Sequence, residues 1–277
     1  MDARMDGRNA IITGGSAGLG KAIAKEYIRS GANVAIVARR QEVLDAAKAE
    51  IQAEGSGKVI AISADIRLPE ECVRVVAETE KELGVTDVLV NNAGGVFCPK
   101  PFLEKSREDA EWEVNLNIWG VYNCTRAAGR SMVKRKSGSI INITSNSALS
   151  PEAANQVAMY GGTKGFVQSF SKGLAYEWGP DNVRINCVSP GWIVPHREDD
   201  VGEGSFWRKY GYDFFGTPEA MAQAAESGEA NFNVSAQPIR RIGRPEDIAD
   251  LTLFFASNRS AHLTGQLVSV SGGAYMP

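Results

Sequence analysis

The sequence predicts a single α/β domain built on a doubly wound parallel sheet of about seven strands, with helices on both faces. Short β-branched runs alternate with longer amphipathic stretches along the whole chain, and such alternation needs crossover connections that cover both faces of a parallel sheet. Each run ends in small or polar residues, as buried strands do. The 277 residues suffice for one substantial core, and no linker, repeat or low-complexity segment divides them.

In chain order, NAIITG (9–14) is the first buried run and opens into a helical stretch at 18–30. ANVAIVAR (32–39) precedes a helix at 41–54, KVIAISAD (58–65) one at 69–83, and TDVLVNNAG (86–94) a longer one at 106–135. GSIINITS (138–145) leads to 157–178 and VRINCVSPG (183–191) to a long connection, after which helix 245–257 and the run GQLVSVSGG (265–273) close the fold. The connection, 192–240, breaks the rhythm. It lacks a strand pattern and is crowded with Trp192, Phe206, Trp207, Tyr210, Tyr212, Phe214, Phe215 and Phe232. A connection of that length inside a compact domain is usually functional or mobile.

Composition narrows the function classes. A hydrophobic share of 43% and a charged share of 23% are those of an ordinary globular protein. A net charge of -3 with interspersed signs gives no reason to expect nucleic acid or an anionic membrane as partner. No apolar run approaches the ~20 residues that cross a bilayer, and the opening MDARMDGRNAIITGG reads as neither signal nor transit peptide. The cytoplasm is the expected location. Cys72, Cys98, Cys124 and Cys187 lie far apart without a C-x-x-C pair, which points to free thiols rather than a metal site or disulfides. With His196 and His262 the only histidines, a metal hydrolase is disfavoured.

Four stretches carry chemistry. In TGGSAGLGKAIA the glycines at 14, 18 and 20 let the backbone turn tightly and approach a pyrophosphate, while the following helix N-terminus favours the anion. At the end of the second strand, where an acidic residue would take the ribose hydroxyls of NAD and an arginine would suit the 2′-phosphate of NADP, the sequence reads Ala38, Arg39, Arg40. NADP(H) is therefore favoured, NAD(H) remaining possible, with Arg40 equally readable as a solvated helix start. Asp65, after the third strand, suits the adenine amino group or a turn. In YGGTK, Tyr160 and Lys164 stand one helical turn apart on one face. Their spacing is either coincidence or a cation placed to make a phenol acidic.

TGGSAGLG, NNAG (91–94), NITSNS (142–147), YGGTK, SPG and the tail GRPEDIADLTLFFAS…LTGQ occur in order from about residue 6 to 275. On these motifs the chain resembles the classical branch of the short-chain dehydrogenase/reductase family, a Rossmann-type fold. The resemblance implies that Tyr160 is the general acid/base and that Lys164 lowers its pKa and holds the nicotinamide ribose. It implies that Ser145 bonds the reacting oxygen, Ser147 being the alternative because the loop from Ser145 to Tyr160 is about two residues longer than is usual in the family, and that Asn117 supports a water relay to Lys164. Cofactor contacts are implied for Gly14, Ser16, Gly18, Leu19, Gly20, Arg39, Asp65, Ile66, Asn92, Ala93 and Gly94, together with Pro190, Gly191 and Ile193 after the sixth strand. Two positions depart from the family pattern: Pro195 where a phosphate-contacting Thr is common, and Ser271-Gly272-Gly273 where D-G-G is usual.

The resemblance makes 192–240 a substrate lid. With Phe97, Ser147, Trp192, Phe206 and Trp207 it suggests an apolar pocket for a bulky cyclic or aromatic ketone or alcohol, although lid aromatics also suit a small core of their own. The acidic group Glu198, Asp199, Asp200 and Glu203 reads as a solvated hinge. Two alternatives stand: a reductase of carrier-bound 3-oxoacyl thioesters, with Lys100, Lys105 and Arg107 as docking charges, and a non-catalytic NADP-binding redox sensor. The latter would have little use for Tyr160, Lys164, Ser145 and Asn117 together. Family practice implies a homotetramer formed through the helices of 106–135 and 157–178 and the C-terminal region.

Overall fold

A computed structural model describes residues 3–202, 208, 212, 216–227 and 237–277. Its strands are β1 (Asn9–Thr13), β2 (Asn33–Ala38), β3 (Val59–Ser63), β4 (Val88–Asn91), β5 (Gly138–Ile143), β6 (Val183–Pro190) and β7 (Leu267–Val270). They form one sheet in the order β3-β2-β1-β4-β5-β6-β7, and each neighbouring pair is parallel. The chain winds outward from β1 to β3, then returns to place β4 on the other side of β1. Ligands in such sheets bind in the crevice beyond the strand C-termini at this reversal.

The helices are α1 (Gly18–Arg29), α2 (Gln41–Gln52), α3 (Pro69–Leu83), α4 (Arg107–Val114), α5 (Gly120–Lys134), α6 (Ala158–Trp178), α7 (Pro218–Ser227) and α8 (Pro245–Ala256). Adjacent strand residues supply opposite faces of the sheet: Ile12 and Ile141 join a core with Ile23, Tyr27 and Phe255, while Ile11 and Ile140 join one with Leu89, Cys124 and Met132. Because both faces are covered, the strands read as continuous apolar runs rather than alternating ones. The Tyr27 hydroxyl donates to the Thr252 carbonyl at 3.0 Å and fastens α1 to α8.

The expected strands and helices are present with ends shifted by a few residues at most, and one helix differs. The stretch 106–135 is α4 and α5 separated by a π-turn at Asn115–Trp119. Ser106 starts α4 by accepting from the Asp109 amide at 3.1 Å, and Asp109 accepts in return from the Ser106 amide. The widened turn carries Asn117, whose amide grips the loop after β4. Single-turn π segments of this kind are frequent at functional sites.

A buried polar chain sets α6 against the sheet. Asn91 Nδ2 donates to Thr125 Oγ1 at 2.9 Å and to Asn142 Oδ1 at 2.8 Å. Asn142 Nδ2 donates to Ser171 Oγ at 2.8 Å, and that hydroxyl donates to the Val167 carbonyl at 2.7 Å. Four elements, α5, β4, β5 and α6, are thereby tied in one register. Asn142→Ala strands a donor and an acceptor, so it should destabilise the protein by about 2–4 kcal/mol in urea unfolding, and adding Ser171→Ala should cost much less than a second such loss.

Candidate active site

A cavity of about 500 Å³ lies beyond the strand C-termini and runs from Arg39 and Arg40 at one end to Ser145, Tyr160 and Lys164 at the other. Its floor is the turn from β1 into α1. Gly14 and Gly18 have φ of +67° and +52°, a region that side chains rarely enter. A Cβ on Gly20 would collide with the Gly14 carbonyl and lie 2.6 Å from Asn92 Nδ2. Gly20 thus does not line the cavity; it lets α1 close onto the turn. Thr13 Oγ1 accepts from the amides of Asn92 and Ala93, both at 3.0 Å, and Asn92 Nδ2 donates to the Thr13 carbonyl at 2.9 Å. These bonds lock the turn to the end of β4.

At the far end Arg39 and Arg40 are exposed and Ala38 leaves the acidic position empty. The Asp65 carboxylate is held by the Arg67 guanidinium at 2.5–3.0 Å, and these bonds, with the nearby Arg39 charge, keep its pKa below the usual range. Arg67 also lines the cavity, so Asp65 meets a ligand there as half of an ion pair.

At the near end α6 brings Tyr160 and Lys164 to the end of β5. Lys164 is 3% exposed, its ammonium donates to the Ile143 carbonyl at 2.9 Å, and it stands 5.7 Å from the centre of the Tyr160 ring. Burial pulls its pKa down to about 8. Burial also pushes the half-buried Tyr160 phenol up to about 12, eased by the nearby Ser145 hydroxyl and worsened by the Glu113 charge. Between the two serines the geometry is one-sided. Ser145 Oγ faces Tyr160 and the cavity, whereas Ser147 Oγ donates to the Ala153 carbonyl at 2.8 Å and does not line the cavity.

Asn117 is fully buried behind the cavity wall. Its Oδ1 accepts from the Gly95 amide and its Nδ2 donates to the Gly95 carbonyl, both at 2.9 Å, leaving one lone pair on Oδ1 for a relay. A Cβ on Gly94 would lie 2.8 Å from both Asn117 Oδ1 and Lys164 Nζ, so a glycine is required where these groups meet.

Ser16, Leu19, Ile66, Ala93, Pro190, Gly191 and Ile193 line the cavity, and so does Pro195. Phe97 and Trp192 do not. Phe97 instead stacks on Trp112, ring centres 4.8 Å apart, and Trp112 with Val96 forms the wall. Trp112 carried no sequence signal, since its place depends on the break at the π-turn. Trp192 is half-buried, with its carbonyl accepting from the Gly243 amide. Phe206 and Trp207 lie outside the described residues. Asp200 is no solvated hinge: with Lys21 Nζ it forms a 3.2 Å ion pair, side-chain exposures 23% and 11%, which holds the start of 192–240 against α1. Of the expected docking charges, Lys105 is buried against Glu113 and so offers none, while Arg107 pairs with Glu111 in solvent.

The pattern of the family described as short chain dehydrogenase matches residues 8–204, and one described as Enoyl-(Acyl carrier protein) reductase matches 214–275. The chain is 33% identical to 2,3-dihydro-2,3-dihydroxybenzoate dehydrogenase of Bacillus subtilis over 98% of this chain and 97% of that one. It is 32% identical to a 3alpha-hydroxysteroid dehydrogenase of Mediterraneibacter gnavus, with 96% of each covered. Among solved structures, a 3-oxoacyl-[acyl-carrier protein] reductase with bound NAD from Brucella melitensis superposes with a TM-score of 0.79 at 27% identity, over 99% of this chain and 94% of that one.

The depressed pKa of Lys164 has a consequence for stability. The ordinary ammonium value is 10.5, so between about pH 8 and 10.5 the folded protein holds fewer protons than the unfolded chain, and stability rises with pH. Below pH 8 the burial cost stands in full. Lys164→Met removes this dependence. Unfolding measured against pH should therefore show the variant at its most favourable relative to the parent near pH 7, losing about 3 kcal/mol of that relative standing by pH 10.5.

Proposed function

The chain belongs to the short-chain dehydrogenase/reductase family, and on that premise we propose that it interconverts a secondary alcohol and a ketone with NADP(H), on a bulky cyclic or aromatic substrate. The observation that carries the reading is the convergence of Tyr160, Lys164 and Ser145 at one end of a cavity whose other end is cationic. A nicotinamide dinucleotide fits the remainder. The positive-φ glycines at 14 and 18 and the α1 N-terminus suit its pyrophosphate, the wall of Asn92, Ala93 and Gly94 its adenosine side, and Pro190, Gly191 and Ile193 its nicotinamide end.

When bound, the cofactor supplies a carbon that gives or takes hydride. The chain's own residues handle the proton. Tyr160 donates its hydroxyl proton to the ketone oxygen in reduction and, as phenolate, takes it back in oxidation. With burial holding the phenol near 12, the protein alone keeps Tyr160 in the acid form suited to reduction. Lys164, a cation held against the ring, favours the phenolate that reduction leaves behind. Ser145 donates to the same substrate oxygen and aims it at Tyr160.

The cyclic substrate is supported by the Trp112 and Val96 wall and by relatives named for dihydroxybenzoate and steroid substrates. NADP(H) rests on Arg39 beside Ala38, although one structural neighbour holds NAD. A 3-oxoacyl thioester is the second reading, favoured by that neighbour's activity and weakened by the burial of Lys105. A cytoplasmic homotetramer is proposed through α5, with the π-turn before it, and α6, where Trp119, Phe166 and Tyr176 are 49%, 42% and 90% exposed. None of the described helices is long and apolar enough to cross a membrane.

The direct test is initial-rate NADPH and NADH oxidation across cyclic, aromatic and thioester-linked ketones. Tyr160→Phe should lower turnover by about 10²–10⁴-fold with NADPH binding retained. NADPH binding without turnover of any ketone or alcohol would shift the reading to a redox sensor. In fluorescence titrations, Arg39→Ala should weaken NADPH about ten- to a hundredfold and leave NADH nearly unchanged, and equal losses for both would remove the 2′-phosphate role.

A further inference from the structure

We propose that the buried Lys105–Glu113 ion pair is a positioning device that fixes the substrate-side wall of the cavity, so that it governs which ketone fits without taking part in proton transfer. This deepens the dehydrogenase reading and rests on it for the substrate arm of its test. The two side chains are 4% and 0% exposed and meet at 2.9 Å. Both spend their remaining bonds on one short piece of backbone. Lys105 Nζ donates to the Phe97 carbonyl at 2.7 Å and to the Cys98 carbonyl at 3.3 Å, while Glu113 Oε1 accepts from the Phe97 amide at 2.8 Å. The ammonium's three protons thus have three acceptors.

Two residues earlier, Asn117 holds both backbone groups of Gly95. Val96, which lines the cavity, is therefore clamped on either side, by an amide at 95 and by an ion pair at 97. The Phe97 ring, its backbone held, backs Trp112, the other wall residue. Cys98 follows at φ +53°, a conformation that a non-glycine residue keeps only when its surroundings impose it.

The pair is poorly explained as a stability device. Burial raises the Glu113 carboxyl pKa, Oε2 has no hydrogen-bond partner among the described residues, and a well-packed apolar pair often serves a fold as well as a buried ion pair. It is no better explained by the chemistry, because the Glu113 charge disfavours the Tyr160 phenolate, against the Ser145 hydroxyl and the Lys164 ammonium that face Tyr160 from the β5 end and from α6. What the pair does supply is four backbone-directed or mutual bonds at the wall beside the reacting groups.

Three variants of the full chain separate these roles: Lys105→Met, Glu113→Gln and the double Lys105→Met/Glu113→Leu. The single variants should lower Tm, and the double should recover most of it. In the presence of NADPH, the double variant should exchange the Phe97 amide about tenfold faster or more than the parent, because its acceptor is gone even where stability returns. With the best ketone, the double variant should raise KM about tenfold and change kcat little, with NADPH affinity unaltered. A double variant with restored Tm, parental exchange and parental KM would overturn the proposal. So would a loss confined to kcat, which would move Glu113 into the proton-transfer chemistry. If the parent turns over no ketone, the dehydrogenase reading fails, while the exchange measurement still decides whether the clamp exists.

Discussion

Lys164 leaves α6 for the protein interior and delivers its ammonium to a carbonyl at the end of β5, with 3% of the residue exposed. Among the described residues its recorded hydrogen bond is to a neutral group, not a carboxylate, so the charge is maintained against the dielectric rather than neutralised. The arrangement around it follows. β5 has to end at Ile143 to present that carbonyl, Gly94 has to lack a side chain where it passes Nζ, and α6 has to be held at a fixed height against the sheet. The Asn91–Asn142–Ser171 chain provides that height from inside the core, where the low dielectric makes each satisfied bond strong and each broken one costly.

The same region shows how a site is held by backbone contacts as much as by its reacting side chains. The loop after β4 has no regular structure of its own, yet its peptide groups are occupied one after another: Asn92 and Ala93 by Thr13, Gly95 by Asn117, Phe97 by the Lys105–Glu113 pair. Each clamp comes from a different element, β1, the π-turn, and α4 with the loop before it. A loop fixed at so many points behaves as a wall, and the conformational entropy of ordering it is spent at folding rather than at substrate binding. The π-turn makes this possible, since a regular helix through 115–119 would rotate Asn117 and α4 relative to each other.

At the opposite end the design is loose. Arg39 and Arg40 are exposed, and the Asp65–Arg67 pair stands beside them, as suits recognition of a polar group that arrives with its own water. The cavity is thus clamped where Ser145, Tyr160 and Lys164 meet, and exposed and cationic at Arg39 and Arg40. The Lys21–Asp200 pair then ties Asp200, in the connection after β6, to α1.

The sequence by itself determined the sheet, its helices and the shared helical face of Tyr160 and Lys164, because those depend on local pattern. Apolar runs ended by small residues define parallel strands, glycines at 14, 18 and 20 mark a tight turn into the first helix, and a spacing of four puts Tyr160 and Lys164 on one helical face. Tertiary structure decided what depends on contacts between distant segments. It separated Ser145 from Ser147 by giving the latter a carbonyl at 153, broke 106–135 so that Trp112 rather than Phe97 reached the cavity, and drew Lys105 and Asp200 from expected solvent into ion pairs. A lysine or an aspartate carries the same letter whether solvated or buried, and only the partner that folding brings to it settles which it is.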